Sequence, residues 1–220
     1  MIEIGNTYTR NELIEMFGKS DNQGLKRKLE GYGVGFAESG RGEKMTLTIN
    51  SIANPFKIFC VSELGFNGNT DFTKLLHFYY YFFNDEEFMA MPDEVKEYRM
   101  RASEKSDVSR QTIANYTRRL EQNNFIDLHT SDYIFYFAYK HQQRIVEKTE
   151  YLEAWHNYWA DLNGEENKSG YAINRMIGNY GGVARKQSIP KINGIYIPQI
   201  ENLKNLIHNQ IEIEAEQNQN

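Results

Sequence analysis

The stretch Ser109-Arg-Gln-Thr-Ile-Ala-Asn-Tyr-Thr-Arg-Arg-Leu-Glu-Gln-Asn-Asn-Phe-Ile126 contains the strongest structural signal in the chain. Ser109 is a good helix N-cap, because its hydroxyl oxygen can accept a hydrogen bond from the backbone of the first turn. Residues suited to a buried face follow at helical spacing; they are Ile113, Tyr116 or Thr117, and Leu120. Phe125 and Ile126 then lead into a strand. The stretch therefore predicts an amphipathic helix that is followed directly by a β-strand.

The opposite face of this predicted helix is polar and suited to contact with DNA. Arginine can hydrogen-bond guanine, and glutamine or asparagine can hydrogen-bond adenine, so four outward residues are expected to enter the major groove. These four are Arg110, Gln111, Asn115 and Arg118. Ser109 and Arg119 are expected to hold phosphate, which fixes the position of a protein on the duplex.

The charge distribution leaves two kinds of partner open. Residues 96–119 contain seven basic and three acidic residues, a net charge of +4, whereas the whole chain has a net charge of −5. The basic stretch favours contact with the phosphate backbone of DNA. The negative total and the acidic stretch 85–94 favour a protein partner.

The N-terminal residues 1–50 show a pattern of two helices followed by a hairpin. Thr9 with Glu12 three residues later predicts a capping box at the start of the first helix. Ser20-Asp21 can cap the second helix, and Met45, Leu47 and Ile49 alternate as in a strand. The second helix is expected to expose Asn22, Gln23, Lys26 and Arg27, and the turn of the hairpin contains Arg41 and Lys44.

For the remaining segments the sequence predicts only the approximate positions of helices, strands and loops. Residues 51–70 are predicted to be a linker, and helices are predicted over 71–83 and 92–105. A strand pair is expected at 126–128 and 133–139, with a turn at 129–132 between them. Beyond it, the sequence predicts a glycine-rich basic loop at 178–191, a strand at 195–197, a helix from residue 199 and a frayed tail at 212–220.

A third helix is predicted over residues 141–162. Ile145, Leu152 and Trp159 lie seven residues apart, with Trp155 and Leu162 three residues after the last two. This spacing resembles the apolar seam of a coiled coil, although it covers few heptads. The helix could form a homodimer or could pack on its own module.

At the residues quoted above, the chain resembles winged helix-turn-helix DNA-binding proteins such as bacterial regulators and plasmid or phage replication proteins. Residues 109–126 resemble the recognition helix and the start of the wing, and residues 8–49 resemble the same arrangement more loosely. The resemblance implies a mainly α fold with short β-hairpin wings (α+β). It implies winged-helix-like modules at 1–50 and 71–140, followed by a C-terminal helical region at 141–211. His129 and Thr130 would be the tip of the second wing.

Several classes of function are excluded by what the sequence lacks. The single cysteine, Cys60, cannot form an intramolecular disulfide and suits a reducing cytosol. No metal-binding histidine spacing, phosphate-binding loop or nucleophile elbow occurs, so no metal, cofactor or catalytic residue is expected. The most apolar run, residues 75–83, is too short to span a bilayer. The sequence predicts a cytoplasmic protein that is not an enzyme.

These observations lead to two hypotheses about function. The first is a protein that binds double-stranded DNA sequence-specifically and acts as a homodimer. It would be a transcription regulator or a replication initiator of a bacterial mobile element. The alternative is a phage or plasmid inhibitor that binds a host protein through the winged-helix scaffold, in the manner of an anti-CRISPR protein.

Overall fold

The structure, a computed structural model, describes residues 1–18, 21–103, 107–139, 142–164 and 169–217. The helices in these ranges are α1 (Arg10–Phe17), α2 (Asn22–Gly31), α3 (Pro55–Ser62), α4 (Phe72–Asn84), α5 (Glu86–Ala90), α6 (Asp93–Ala102), α7 (Arg110–Gln122), α8 (Lys148–Leu162), α9 (Ser169–Tyr180) and α10 (Ile197–Gln217). The strands are β1 (Thr7–Thr9), β2 (Val34–Ser39), β3 (Thr46–Ile52), β4 (Ile126–Asp127), β5 (Tyr133–Tyr139), β6 (Gln142–Val146), β7 (Val183–Ser188) and β8 (Lys191–Ile192). Helices predominate and the sheets are small and antiparallel, so the predicted mixed α+β class is confirmed.

The chain forms two compact units, and each is assembled from separate segments. Unit 1 consists of Met1–Phe83, Asn115–Phe125 and Asn193–Asn220, and unit 2 consists of Asn84–Ala114 and Ile126–Ile192. Helix α7 therefore contributes residues to both units, a division that differs from the consecutive modules proposed from the sequence. Residues 51–70, which were interpreted as a linker, contain helix α3, and Phe56, Ile58 and Phe59 of that helix are buried.

Unit 1 contains the predicted helix-helix-hairpin segment. Strands β1, β3 and β2 form an antiparallel sheet in that order, with Tyr8 opposite Leu47 and Ala37 opposite Thr48. Alternate residues of the hairpin, including Leu47 and Ile49, join Leu13 and Leu25 of α1 and α2 in one apolar core. This burial explains why the alternation in the sequence identified the strand correctly.

The caps of α1 and α2 follow from their sequence. Thr9 Oγ1 accepts a hydrogen bond from the backbone N–H of Glu12, and the Glu12 carboxylate accepts from the Thr9 backbone N–H at 2.7 Å, so the predicted capping box is confirmed. The carboxylate of Glu12 accepts hydrogen bonds from the Thr9 backbone N–H and from the Thr9 hydroxyl, and these two bonds lower its pKa because they stabilise the charged form. Asp21 caps α2 by accepting from the Gly24 N–H at 2.7 Å. Ser20, predicted as part of the same cap, lies outside the described residues.

The aromatic run at the end of α4 forms a second part of the unit 1 core. Four of its six rings are buried, whereas Tyr80 and Tyr81 are half-buried, as expected for six consecutive aromatics on one helix. Tyr79 Oη donates a hydrogen bond to the Tyr116 carbonyl at 3.2 Å. Burial raises the pKa of Tyr116 to about 12.

Unit 2 is built on a sheet with the strand order β6-β5-β7. Phe137 of β5 and Ala184 of β7 lie opposite each other and pack against Ala154 of α8 and Met176 of α9. Gly182 precedes β7 where only a glycine fits, because a Cβ there would lie 2.8 Å from backbone atoms of Ala138.

Several predicted elements of unit 2 are wrong. The expected hairpin between 126–128 and 133–139 does not form, because β4 pairs with β8 and β5 pairs with β6 and β7. The helix predicted from residue 141 begins only at Lys148, after strand β6, while residue 141 itself lies outside the described residues. The basic loop at 178–191 contains β7.

Two predictions near the C-terminus also differ from the structure. The strand expected at 195–197 is a short 3-10 helix, Gly194–Tyr196, that continues into α10. The tail expected to fray at 212–220 is helical as far as Gln217, and residues 218–220 are not described. Within the described ranges, none of the helices combines the length and the apolar character needed to cross a membrane.

Candidate nucleic-acid interface

The first residue of α2 joins three parts of unit 1. Arg10 Nε, at the start of α1, donates a hydrogen bond to Asn22 Oδ1 at 2.6 Å. Asn22 Nδ2 in turn donates to the Gly42 carbonyl in the β2–β3 turn at 2.9 Å. The oxygen and the nitrogen of the Asn22 amide are therefore both hydrogen-bonded, and they hold the starts of α1 and α2 against the turn. Asn22 was predicted to contact DNA, but in the structure it connects these three segments.

The outward face of α2 contains two of the predicted contact residues. Gln23 and Arg27 are four residues apart and exposed, on the side of the helix opposite the buried Leu25 and Leu29. Lys26, by contrast, forms an ion pair with Glu38 of β2 at 2.8 Å. Its charge is therefore largely neutralised.

The turn between β2 and β3 adds two further cations beside the start of α2. Arg41 and Lys44 are exposed, with the acidic Glu43 between them. Within the part of the chain that the structure describes, Arg27, Arg41 and Lys44 have no ion-pair partner. Gly40 shapes the turn, since its φ of +78° is a left-handed conformation and an added Cβ would lie 2.3 Å from the Lys44 carbonyl oxygen.

Helix α7 has the predicted cap but a different surface from the predicted one. The Thr112 backbone N–H donates to Ser109 Oγ at 3.3 Å, so Ser109 is an N-cap. Arg110 donates from Nη1 to Glu94 of α6, and is therefore engaged within unit 2. Gln111 and Asn115 are exposed on the same helix.

The two arginines near the end of α7 differ in their surroundings. Arg118 is exposed and forms no ion pair with any described residue. The Arg119 guanidinium lies 5.8 Å from the centre of the Phe66 ring, a cation–π contact within unit 1. Of the cations predicted on this helix, Arg118 is therefore exposed without an ion pair or ring contact in the described part of the chain, whereas Arg119 is exposed but stacked on Phe66.

The basic stretch and the acidic stretch of the sequence largely neutralise each other. Every described basic residue from 96 to 110 pairs with an acid of unit 2. The pairs are Lys96 with Asp93 (3.5 Å), Arg99 with Asp85 (3.4 Å), Arg101 with Glu97 (2.8 Å) and Asp107 (2.9 Å), and Arg110 with Glu94. Lys105 lies outside the described residues. Much of the net charge of +4 over 96–119 is therefore paired within unit 2, whereas Arg118, and Glu86 and Glu87 of the acidic stretch, are exposed.

The residues predicted as the second wing tip do not lie at the tip of a hairpin. Thr130 Oγ1 donates to the Ile189 carbonyl at 2.9 Å, so this turn is held against the connection between β7 and β8. The His129 backbone N–H donates to Asp127 Oδ1 at 2.7 Å. Because β4 pairs with β8 and not with β5, His129 and Thr130 lie in the connection between β4 and β5.

The predicted dimerisation seam is only partly formed. Ile145 lies in β6 opposite Tyr136, on the face of the sheet away from α8, so it cannot join the helical residues. Leu152 and Trp159, however, are about half exposed (51% and 54%) and lie seven residues apart on α8. Trp155 and Leu162 are partly buried on the same helix.

Unit 2 contains a polar cluster that no sequence pattern predicted. Glu94 Oε1 accepts hydrogen bonds from Arg110 and Arg185, the latter at 3.1 Å, and Oε2 accepts from Gln143 Nε2 at 2.8 Å. Tyr136 lies in the same cluster, where burial and the charge of Glu94 raise its pKa. The cluster depends on β6 and β7, which were predicted as a helix and a loop, so no local pattern brought these residues together.

Comparison with protein-family models, with curated proteins and with solved structures found no match to this chain. Among the described residues, no group of three or more His, Cys, Asp and Glu side chains is arranged to hold a metal ion. The functional assignment therefore rests on the geometry and chemistry of the interface itself.

Proposed function

We propose that the protein binds double-stranded DNA through unit 1, with α2 in the major groove and the β2–β3 turn beside it on the phosphate backbone. The observation behind this proposal is the Asn22 bridge, which fixes the start of α2 against a turn containing exposed cations. A DNA-binding helix presents its N-terminal residues to base edges, so its position relative to backbone contacts must be fixed.

The order of elements supports the proposal. The sequence β1–α1–α2–β2–β3, with the strand order β1-β3-β2, resembles the winged helix-turn-helix arrangement, in which the second helix enters the groove. Gln23 and Arg27 would then read base edges, because glutamine suits adenine and arginine suits guanine. Arg41 and Lys44 would contact phosphate, which adds affinity and no sequence preference.

The biological role that we propose is a transcription regulator or a replication initiator, since both depend on sequence-specific DNA binding. The contacts predicted for α7, through Gln111, Asn115 and Arg118, remain predictions. A homodimer through Leu152 and Trp159 of α8 is a second proposal, supported by the half-exposed apolar side chains of these two residues. Two copies would place two α2 helices on two half-sites of an operator.

Fluorescence anisotropy with the upstream DNA of the protein's own gene and with a scrambled duplex tests DNA binding. We expect tight, sequence-dependent binding that weakens with salt. Arg27→Ala should weaken binding to the specific duplex by about 5- to 150-fold and relax the sequence preference, since a good base contact contributes about 1–3 kcal/mol. Arg41→Ala should weaken binding to both duplexes by similar factors.

Arg101→Ala is the matched control, because Arg101 pairs with Glu97 and Asp107 of its own unit. It should bind both duplexes as the wild type does. The proposal is wrong if the wild type binds neither duplex at low salt, or if Arg27→Ala and Arg101→Ala have the same effect.

A further inference from the structure

Lys26 and Glu38 form an ion pair that joins the two parts of the α2 interface. Lys26 Nζ, on α2, lies 2.8 Å from Oε2 of Glu38, on β2. Leu47 lies directly opposite Glu38 on β3 and is completely buried, and opposite residues of two paired strands project from the same face of the sheet. The Glu38 side chain therefore leaves the sheet on the face that packs against the helices, and it reaches α2.

The pair is accessible to solvent and lies among the residues proposed to contact DNA. The Lys26 side chain is 29% exposed and the Glu38 side chain is 39% exposed. Lys26 directly precedes Arg27 on α2, and β2 ends one residue after Glu38, at the turn that contains Arg41 and Lys44. DNA that contacts Arg27 through a base and the turn through phosphate would pass close to the pair.

The pair matters more for the charge of the interface than for the stability of the fold. A partly exposed ion pair contributes little to folding, because its attraction is weakened by water. Its carboxylate, however, cancels the charge of the ammonium group and repels phosphate. A lysine releases counterions from DNA only when it contacts phosphate. While Lys26 is paired with Glu38, it is therefore not a phosphate contact.

We propose that Glu38 limits the affinity of the protein for DNA of any sequence by holding Lys26 away from the phosphate backbone. Glu38 is a positioning residue that acts through Lys26 and contacts no base. The phosphate contacts of the α2 interface are then Arg41 and Lys44, so tight binding depends on the base contacts. The inference rests on the proposed DNA-binding function, and it names the residue that sets the sequence-independent part of the affinity.

Glu38→Gln tests the proposal by anisotropy titration against the upstream duplex and the scrambled duplex. The substitution removes the negative charge and keeps the shape of the side chain, so Lys26 is free to contact phosphate. One such contact changes the slope of log binding constant against log salt concentration by about −0.9. We expect both duplexes to bind roughly 15-fold more tightly at about 50 mM salt and roughly 4-fold more tightly at about 200 mM, because counterion release is more favourable in dilute salt.

Two further variants separate this effect from a change in overall charge. Glu97→Gln is the matched control, because Glu97 also pairs with a basic residue, Arg101, at 2.8 Å but belongs to unit 2. It should leave the affinity and the slope unchanged. Lys26→Gln combined with Glu38→Gln removes the released cation, and this double variant should return the slope to the wild-type value.

The outcomes distinguish this inference from the proposed function. If the wild type binds the upstream duplex but Glu38→Gln has unchanged or lower affinity, the role of Glu38 is overturned and DNA binding stands. An equal gain for Glu38→Gln and Glu97→Gln also overturns it, since the effect would then come from net charge alone. A wild type that binds neither duplex at low salt overturns both proposals.

Discussion

Lys96 is a charged residue whose side chain is almost completely buried in unit 2. Its Nζ lies 3.5 Å from Asp93 Oδ1, one turn earlier on α6. Burial lowers the pKa of Lys96, and the nearby Asp93 carboxylate offsets only part of this effect. The free-energy cost of removing the ammonium group from water is therefore larger than the favourable interaction with Asp93.

Replacing Lys96 with a neutral side chain of similar length should stabilise the protein. Lys96→Met is expected to raise the free energy of unfolding at pH 7 by about 1 kcal/mol, measured by urea denaturation. A lowered pKa means that the unfolded chain binds the proton more tightly than the folded one. The wild type therefore gains stability as the pH rises toward the pKa of an unfolded lysine, about 10.4, and its difference from the variant should shrink.

Lys74→Met is the matched control for this measurement. Lys74 also pairs with an aspartate three residues away, Asp71, at 3.7 Å, but its side chain is 40% exposed. The change in the free energy of unfolding should stay within about 0.5 kcal/mol at every pH. A destabilised Lys96→Met variant, or equal pH dependence of the two variants, would contradict the interpretation that burial dominates at Lys96.

Arg110 illustrates how far a single side chain can be interpreted from sequence. Its position on the outward face of a helix was predicted correctly, and the side chain is exposed on α7. Its partner Glu94 lies sixteen residues earlier on another helix, so no helical spacing could reveal the ion pair. Sequence patterns identify which face a residue occupies, whereas its electrostatic partner depends on the packing of separate elements.

The elements that were predicted correctly are those specified by neighbouring residues. The capping box of α1 needs only Thr9 and Glu12, and the alternation of β3 is visible in the sequence itself. Strand β6 (Gln-Gln-Arg-Ile-Val) has no such alternation and is an edge strand that forms by pairing with β5. Strand β7 contains Arg185 and Lys186 and was interpreted as a loop for the same reason. Local sequence patterns do not show which distant segments will pair as strands.

Helix α8 has a surface that is suited to a second copy of the chain. Leu152 and Trp159 lie two helical turns apart with about half of each side chain exposed, and large apolar and aromatic residues dominate the energetics of protein interfaces. Trp159→Glu should raise the dissociation constant of the homodimer at least about 10-fold, because it places a charge in an apolar contact. Light scattering coupled to size exclusion measures this as a shift from dimer to monomer.

An exposed isoleucine in the other unit provides the control for the α8 surface. Ile195 is 83% exposed in unit 1, so Ile195→Glu changes charge and apolar area to a similar extent without altering α8. This variant should remain dimeric. If the wild type elutes with the mass of one 25.8 kDa chain across the micromolar range, the homodimer is ruled out.

Across the whole protein, the net charge of −5 conceals how few cations are available to DNA. The described basic residues from 96 to 110 are paired within unit 2, whereas Arg27, Arg41 and Lys44 of unit 1 have no ion-pair partner in the described ranges. Each phosphate contact contributes about −0.9 to the slope of log binding constant against log salt concentration. The number of cations that contact phosphate therefore determines the slope of this plot.

The α2 interface predicts a slope of about −2 for each protomer bound, because its two phosphate contacts, Arg41 and Lys44, can release counterions. Contact through the whole basic stretch 96–119, with seven basic residues, would give a slope of about −6. Titrations from about 50 to 200 mM salt distinguish these values once the stoichiometry is known.

Two variants test the same slope. Arg41→Ala should reduce its magnitude by about 1, since it removes one phosphate contact. Arg101→Ala should leave the slope unchanged, because Arg101 is already paired. A reduced slope for Arg101→Ala would place the DNA on unit 2 and refute the α2 interface.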